Sequence, residues 1–241
     1  MVLQWTEGLI CLVSGLLFLA STLRIRELAR EKPVMVKRAA AASASLWALA
    51  AAGCFLLAAA DAVALMGWNA AGDVARSASA LAWGVAIIPL FYLYGYLILR
   101  DPRDAHLAGS VGALILVAAS LAFFLAPREV VEVADGYRIQ VVRDALARGV
   151  IFAVVFLAGA IITFFLLRIT RGMAGLGRWR GFVATFALDA FVVSMLVRLA
   201  WQDLPSTLAS RFILLAASLL LAWAYYLPPR RFLKTPSAPT P

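Results

Sequence analysis

Long apolar runs separated by short polar segments recur along the whole of this chain. A helix needs about 17–25 predominantly apolar residues to cross a hydrocarbon core that is roughly 30 Å thick. Seven runs fall within that range, and they cover residues 7–23, 41–63, 77–99, 107–126, 148–168, 181–201 and 209–227. We therefore predict an all-α membrane protein whose residues 1–227 form a bundle of seven transmembrane helices.

The composition agrees with lipid as the surrounding medium. Hydrophobic residues make up 64% of the chain and charged residues 15%, whereas soluble domains contain about 45–50% and about 25%. The excess apolar surface has to face a bilayer, so lipid is the first partner that we expect. No basic segment precedes the first run, and Glu7 stands at its start, so we expect a retained helix and not a signal peptide.

Lysine and arginine are divided unevenly between the two sets of alternate loops. One set holds 15 of the 22 basic residues, and the other holds 7 of them together with most of the acidic residues. The positive-inside rule then places the N-terminus outside and the C-terminus in the cytoplasm, which agrees with an odd number of spans. We interpret the net charge of +9 as a topology signal for a multi-pass protein of a cell membrane, by expectation the bacterial inner membrane. Nucleic acid is not an expected partner.

Residues 128–143, between the fourth and fifth runs, predict an outer β-hairpin. Alternating β-branched residues flank Asp135 and Gly136, a typical hairpin pattern. A two-residue turn would place Val133 opposite Arg138 and mix polarity on each face. We favour a three-residue loop, in which Val133 pairs with Tyr137, Val131 with Ile139 and Glu132 with Arg138. The apolar face, formed by Val131, Val133, Tyr137 and Ile139, is then expected to lie on the helix ends as a lid, or on a partner or ligand.

Simple counts exclude several kinds of chemistry. The three lysines, Lys32, Lys37 and Lys234, all flank the apolar runs, so no lysine is placed to form a retinal Schiff base within a span. His106 is the single histidine, which excludes haem held by two histidines of this chain and a histidine-rich metal site. We predict no catalytic residue, no metal and no cofactor, and hence a protein that is not an enzyme.

One acidic residue, Asp189, falls well inside a predicted span. It lies eight residues into the sixth run, at a depth of roughly 12 Å, where a charge is costly and is expected to face the bundle. Depth matching makes Tyr92 its expected polar neighbour, beside a kink at Pro89. Arg198 is a third polar candidate, but it points away from Asp189 and lies near the outer interface. Two roles stay open for Asp189: a hydrogen bond that joins two helices, or binding of a proton or ligand.

Two further expectations concern the second span and the loop after it. The second span is rich in small residues, which lets helix backbones approach closely, and we expect it to be central in the bundle. Asp61 and Arg76 bracket the short loop that follows. We expect both side chains to be in contact with water and to contribute little energy.

The last span ends on aromatic residues, a double proline and a double arginine. The residues are Tyr225, Tyr226, Pro228, Pro229, Arg230 and Arg231. This junction resembles that of bacterial sensor histidine kinases with multi-span N-terminal membrane regions, in which such a sequence precedes a cytoplasmic signalling module. We expect residues 228–241 to form a Pro-rich cytoplasmic tail, and this sequence contains no histidine-bearing dimerisation helix and no ATP-binding module. The resemblance implies a sensory region without a kinase module, acting through a protein partner in the membrane or the cytoplasm.

Three functions therefore remain from the sequence. The first is a sensory or signal-coupling membrane protein that binds a ligand or partner and performs no chemistry of its own. The second is a structural or accessory subunit of a larger membrane complex. The third is a transporter of small solutes.

Overall fold

The structure is a computed structural model, and it describes residues 2–89, 91, 92, 102–134 and 137–227. The described elements are α1 (Val2–Ala29), α2 (Val34–Leu65), α3 (Asn69–Ala86), α4 (Pro102–Leu125), β1 (Arg128–Ala134), β2 (Tyr137–Val142), α5 (Ala145–Arg171), α6 (Gly175–Ala200) and α7 (Leu204–Tyr226). The prediction of an all-α protein with one small hairpin is confirmed.

Among these elements, helices that are adjacent in the sequence are also adjacent in space. Each helix from α1 to α6 packs against the next, and α7 returns to pack against α1, so the order of contacts closes into a ring. The hairpin lies where α4 ends and α5 begins, and we call this the hairpin end of the bundle. The tail end is the opposite one, where α1 ends and α7 ends.

Five of the helices are long and apolar enough to cross a membrane, namely α1, residues 36–65 of α2, α5, α6 and α7. In α4 the apolar part, Gly109–Leu125, is shorter. The third predicted span begins within α3 and continues into residues 90 and 93–99, which lie outside the described part of the chain. Five such helices are compatible with a multi-pass membrane protein, and the count of seven stays a prediction.

Proline, glycine and aspartate residues mark several helix ends. Pro33 precedes α2, and α1 ends at Ala29, a few residues before it. Gly67 takes a positive φ of 86° in the tight connection from α2 to α3, a conformation that favours glycine. The Asp144 carboxylate caps α5 by accepting hydrogen bonds from two backbone N–H groups, and Asp203 forms a capping box with Ser206 at the start of α7.

Four aromatic rings form the centre of the apolar core. Phe18 of α1 stacks on Trp47 of α2 at 5.2 Å, and Phe191 of α6 meets both rings edge to face. Trp83 of α3 packs against the same Phe191 at 6.4 Å. Four buried alanines of α2 complete this core and let the helix approach α1 and α3 closely, namely Ala44, Ala50, Ala51 and Ala60.

The hairpin has the predicted extent but only part of the predicted register. Val131 pairs with Ile139 and Glu132 with Arg138, as expected. The predicted pair of Val133 with Tyr137 is wrong, because Tyr137 lies opposite Ala134. The register shifts between Glu132 and Ala134, so β1 has one extra residue there in the manner of a β-bulge.

Candidate functional site

The hairpin lies on the helix ends at its end of the bundle, where hydrogen bonds join it to α3, to α6 and to the connection between α6 and α7. Gln140 donates from Nε2 to the Asp73 carbonyl of α3 at 3.0 Å, and Arg198 of α6 donates to the Gln140 carbonyl at 2.8 Å. The backbone N–H of Val142 donates to Oε1 of Gln202, between α6 and α7, at 2.6 Å. These bonds fix β2 over the bundle.

The predicted contact residues of the hairpin do not behave as one face. Ile139 is buried, with 4% of its surface exposed, whereas Val131 opposite it is 37% exposed. Val142, which the sequence analysis did not single out, is as buried as Ile139. The side chains of Val133 and Tyr137 lie outside the described part of the structure. The apolar contact of the hairpin with the helix ends is therefore made by β2, and the lid interpretation accounts for it.

Beneath the hairpin lies a cavity of about 130 Å³, which we call the hairpin-end cavity. All seven described helices and both strands contribute side chains to its wall. Much of the wall is apolar, with Trp83, Phe123, Ile151 and Met195 among its members. The charged members are four arginines and one glutamate: Arg76, Arg128, Arg198, Arg211 and Glu7.

Two buried ion pairs hold the helices around this cavity. Arg211 of α7 donates from Nε to Oε1 of Glu7 in α1 at 2.6 Å, and both side chains are less than a tenth exposed. The Arg211 guanidinium also lies 5.3 Å from the centre of the Trp83 ring, within range of a cation–π contact. Burying such charges is costly unless they are paired, and pairing them joins the first helix to the last.

The second pair joins α2 to α3. Arg76 donates from Nη2 to Oδ1 of Asp61 at 2.9 Å and from Nη1 to Oδ1 of Asp73 at 3.3 Å. Only 1% of the Asp61 side chain and 11% of the Arg76 side chain are exposed. The expectation that both would be wet and of little energetic weight is therefore wrong. The hairpin and the ring of helices cover residues that a span-by-span analysis leaves at the water interface.

Arg128, the first residue of β1, differs from these arginines in its partners. It donates to the Ser77 hydroxyl at 2.7 Å, to Oε1 of Gln140 at 3.3 Å and to the Phe123 carbonyl at 3.1 Å. Each of these acceptors is a neutral oxygen, and Nε of Arg128 is buried with no hydrogen-bond partner among the described residues. Burial lowers the pKa of the Arg128 guanidinium from its usual value, because desolvation disfavours the charged form.

Asp203, at the start of α7, is a second residue whose pKa is shifted, and it lies outside the cavity. The Ser206 hydroxyl, and after it the Ser206 backbone N–H, hold the pKa of the Asp203 carboxyl below its usual value by hydrogen bonding to the charged form. Asp203 is exposed, so this group serves the helix cap and is not part of the cavity wall.

The three polar candidates from the sequence are not brought together. Asp189 of α6 accepts a hydrogen bond from the Thr163 hydroxyl of α5. The prediction that Tyr92 is the polar neighbour of Asp189 is therefore wrong. The Tyr92 hydroxyl lies 3.3 Å from that of Ser110 in α4. Arg198 lies at the hairpin end, as expected, and lines the cavity.

The predicted junction of Pro228, Pro229, Arg230 and Arg231 lies outside the described residues. Just before it, α7 ends at Tyr226, whose hydroxyl donates to the Ala20 carbonyl of α1 at 2.9 Å. The end of α7 is thus tied to α1 at the tail end, as its start is tied by Arg211 and Glu7 at the hairpin end.

The residues that the sequence analysis missed share one signal. Glu7, Asp61, Arg76 and Arg211 are oppositely charged residues placed near the same ends of neighbouring apolar runs. Paired charges at matched depth in several spans indicate a polar layer across the bundle, whereas each residue alone is typical of a span boundary.

Comparison with known proteins gives no relative: no protein-family model matches this chain, and no curated protein matches it. The geometry of the hairpin-end cavity is therefore the basis for a function.

Proposed function

We propose that this protein is a sensory membrane protein that binds a small ligand in the hairpin-end cavity and passes the signal to a protein partner, without chemistry of its own. The observation that carries the proposal is the wall of the cavity, to which every described helix and both strands contribute. A ligand in such a place contacts all elements at once, and it shifts their equilibrium by its differential affinity for the alternative arrangements.

The contacts of α7 support a route to the tail end. Arg211 lines the cavity, and Tyr226 ends the same helix fifteen residues later, about 22 Å away along the axis. A rigid helix carries a displacement at one end to the other. The cytoplasmic tail, residues 228–241, follows α7 in the sequence, and a partner at that tail would receive the change.

The test compares ligand binding in the wild type with that of a variant whose cavity is filled. Ala80 of α3 lines the cavity, so Ala80→Leu places a larger side chain in it, whereas Ala71→Leu on the exposed side of α3 is a matched control. The full chain, purified in mild detergent, is offered a panel of small neutral, anionic and cationic compounds. We expect at least one compound to raise the unfolding temperature and to slow hydrogen exchange in the hairpin strands, in the wild type and in Ala71→Leu but not in Ala80→Leu.

Two results would count against this function. One is a panel in which no compound distinguishes the wild type from Ala80→Leu. The other is a stable, stoichiometric assembly with other membrane proteins in mild detergent, which favours the accessory-subunit alternative. A free monomer or dimer favours the sensor.

We also propose that the hairpin end faces outward in a bacterial inner membrane, as the positive-inside rule predicts. Asn69 lies at the hairpin end and Lys32 at the tail end, and both are exposed. Cysteines placed at Asn69 and at Lys32 test this orientation against a membrane-impermeant thiol reagent. We expect Asn69→Cys to react in intact cells and Lys32→Cys to react only after permeabilisation; the reverse pattern would overturn the orientation.

A further inference from the structure

We propose that the ligand of the hairpin-end cavity is a small organic acid with one anionic group, and that Arg128 binds that group. This inference rests on the proposed function, because it names the ligand class of the same cavity. Its experiment is built so that a failure of the charge preference is distinguishable from a failure of ligand binding.

The arginines around the cavity differ in whether a carboxylate balances their charge. Arg76 and Arg211 each have a carboxylate partner, and those pairs are structural. Arg128 lines the same cavity, but its hydrogen bonds to described residues all end on neutral oxygens. Arg128 is partly buried, and a charge that is even partly withdrawn from water without a counter-charge is destabilising, so a bound anion compensates it.

Arg128 has N–H donors that its hydrogen bonds to described residues do not use. A guanidinium carries five N–H donors, and three hydrogen bonds leave Nε–H and one hydrogen on Nη2. Nε is buried and has no hydrogen-bond partner among the described residues. Two donors of one planar guanidinium suit the two oxygens of a carboxylate, which is the geometry that favours arginine over lysine.

The same wall contains a second polar group without a hydrogen-bond partner among the described residues, the Ser120 hydroxyl. Ser120 of α4 lines the cavity with only 3% of its surface exposed, and its hydroxyl oxygen has no hydrogen-bond partner among the described residues. Buried hydroxyl groups in proteins nearly always have a partner. Ser120 lies one turn before Phe123 in α4, the Phe123 carbonyl accepts from Arg128, and all three residues line the cavity.

The size and the apolar wall of the cavity limit the ligand to a small molecule with an apolar part. The volume of about 130 Å³ is close to that of an engineered apolar cavity of about 150 Å³ that takes up benzene. Trp83, Ile151 and Met195 offer an apolar surface for the rest of the molecule. A monocarboxylate with a short hydrocarbon chain, such as butyrate, has about as many non-hydrogen atoms as benzene and therefore fits. The two chains of a phospholipid exceed this volume, so we assign the anion to a free acid and not to a lipid headgroup.

The experiment measures butyrate binding by the full chain in nanodiscs of phosphatidylcholine. Sodium butyrate is titrated against the unfolding temperature, with sodium chloride at equal ionic strength as the blank. Butyramide is the neutral isostere. Arg128→Gln removes the charge, Arg128→Lys keeps it without the planar fork, and Arg143→Gln is the matched control. Arg143 belongs to an ion pair at the surface with Glu129, and 73% of its side chain is exposed.

We expect butyrate to bind the wild type and Arg143→Gln alike, and butyramide to bind much more weakly. Arg128→Gln should raise the dissociation constant for butyrate at least about tenfold, which corresponds to about 1.4 kcal/mol, and Arg128→Lys should fall between the two. Ala80→Leu should abolish binding, and it serves as a second variant if Arg128→Gln does not fold.

Three results would overturn the inference. Equal binding of butyrate and butyramide, lost in Ala80→Leu, leaves the cavity as a ligand site and removes the preference for an acid. Failure of butyrate to bind while another compound of the panel does has the same consequence. Stabilisation by phosphatidylglycerol that depends on Arg128 and that butyrate does not compete with would assign the anion to lipid.

Discussion

The hairpin end and the tail end of the bundle use the same types of charged residue for different purposes. At the hairpin end, Arg211 and Glu7 are buried and join two helices. At the tail end, Arg24 and Glu27 form a contact of similar length, 2.6 Å, within one helix, with 35% and 59% of their side chains exposed. A distance alone therefore does not measure the value of an ion pair. Burial decides it, because water competes with an exposed pair and is excluded from a covered one.

Aromatic residues divide in the same way. Trp83, which lines the hairpin-end cavity from the core side, is buried, donates from Nε1 to the Ala50 carbonyl at 3.2 Å and packs against Arg211. At the tail end, Trp223 is 45% exposed and meets Trp179 edge to face at 5.3 Å. A half-exposed tryptophan with a polar N–H is typical of a membrane interface, whereas a buried one that is hydrogen-bonded on one side is part of a wall.

The largest expected effect comes from Arg211→Met, compared with Arg24→Met at the tail end. Loss of Arg211 takes away the guanidinium that pairs with the buried Glu7 carboxylate, so we expect the free energy of unfolding to fall by about 3–5 kcal/mol. Loss of Arg24 from its exposed pair should cost no more than about 1 kcal/mol. Unfolding of the purified protein in mixed detergent micelles, with SDS as the denaturant, measures both.

The double variant Glu7→Gln/Arg211→Met separates the causes of that loss. Replacing the glutamate removes the buried charge that has lost this guanidinium, so the double variant should be markedly more stable than Arg211→Met alone. If the double variant is no more stable, the loss of stability in Arg211→Met comes from the lost packing of Arg211 on Trp83 and not from the charge of the Glu7 carboxylate.

The next effect in size tests how closely α2 packs, at Gly53, against Trp83 of the cavity wall. A Cβ atom at Gly53 would lie 2.1 Å from Nε1 of Trp83, which has little freedom to move because it is buried and hydrogen-bonded. We expect Gly53→Ala to destabilise the protein by about 1–3 kcal/mol, as overpacking in a core does. Gly149→Ala is the control, since no atom lies within 4 Å of its Cβ position, and alanine favours the helix there by up to about 1 kcal/mol. Equal stability of the two variants would show that Trp83 can move.

The helices and the hairpin were predictable from the sequence because each is specified locally. Apolar runs of spanning length coincide with α1, α2, α5, α6 and α7, since an apolar run in lipid has to satisfy its own backbone groups and does so as a helix. Residues 128–142 form strands as the alternation of β-branched residues predicts.

The misplaced features depend on which elements are neighbours in space. Asp61 and Arg76 were assigned to water because both stand near a span boundary, but the packing of the elements around them leaves them largely buried. The pair of Val133 with Tyr137 followed from turn chemistry and from matched polarity on each face, whereas the observed register goes together with bonds from β2 to α3 and to Gln202. Sequence patterns carry the period of an element, but they do not carry the order of helices around the ring.

The smallest expected effect concerns Asp189, the candidate for which the ring order matters most. Depth matching selected Tyr92 from the third span, but α6 packs against α5 and α7, and the partner is Thr163 of α5. The two helices approach closely there, since a Cβ on Gly159 would lie 2.8 Å from Cγ1 of Val192. This contact favours the structural role, a hydrogen bond that joins two helices, and the residue does not line the hairpin-end cavity.

Asp189→Asn keeps an oxygen that accepts from Thr163, so we expect the free energy of unfolding to change by less than about 1 kcal/mol, the scale of one hydrogen bond. The unfolding-temperature response to butyrate should also be unchanged. Asp189→Leu is the contrasting variant, because it leaves the Thr163 hydroxyl without this acceptor and should be the less stable of the two. If Asp189→Asn folds as stably as the wild type and yet loses the response to butyrate, the carboxylate itself has a role in binding or in coupling. The polar layer at the hairpin end would then extend along α6 towards the tail end, to the contact between Asp189 and Thr163.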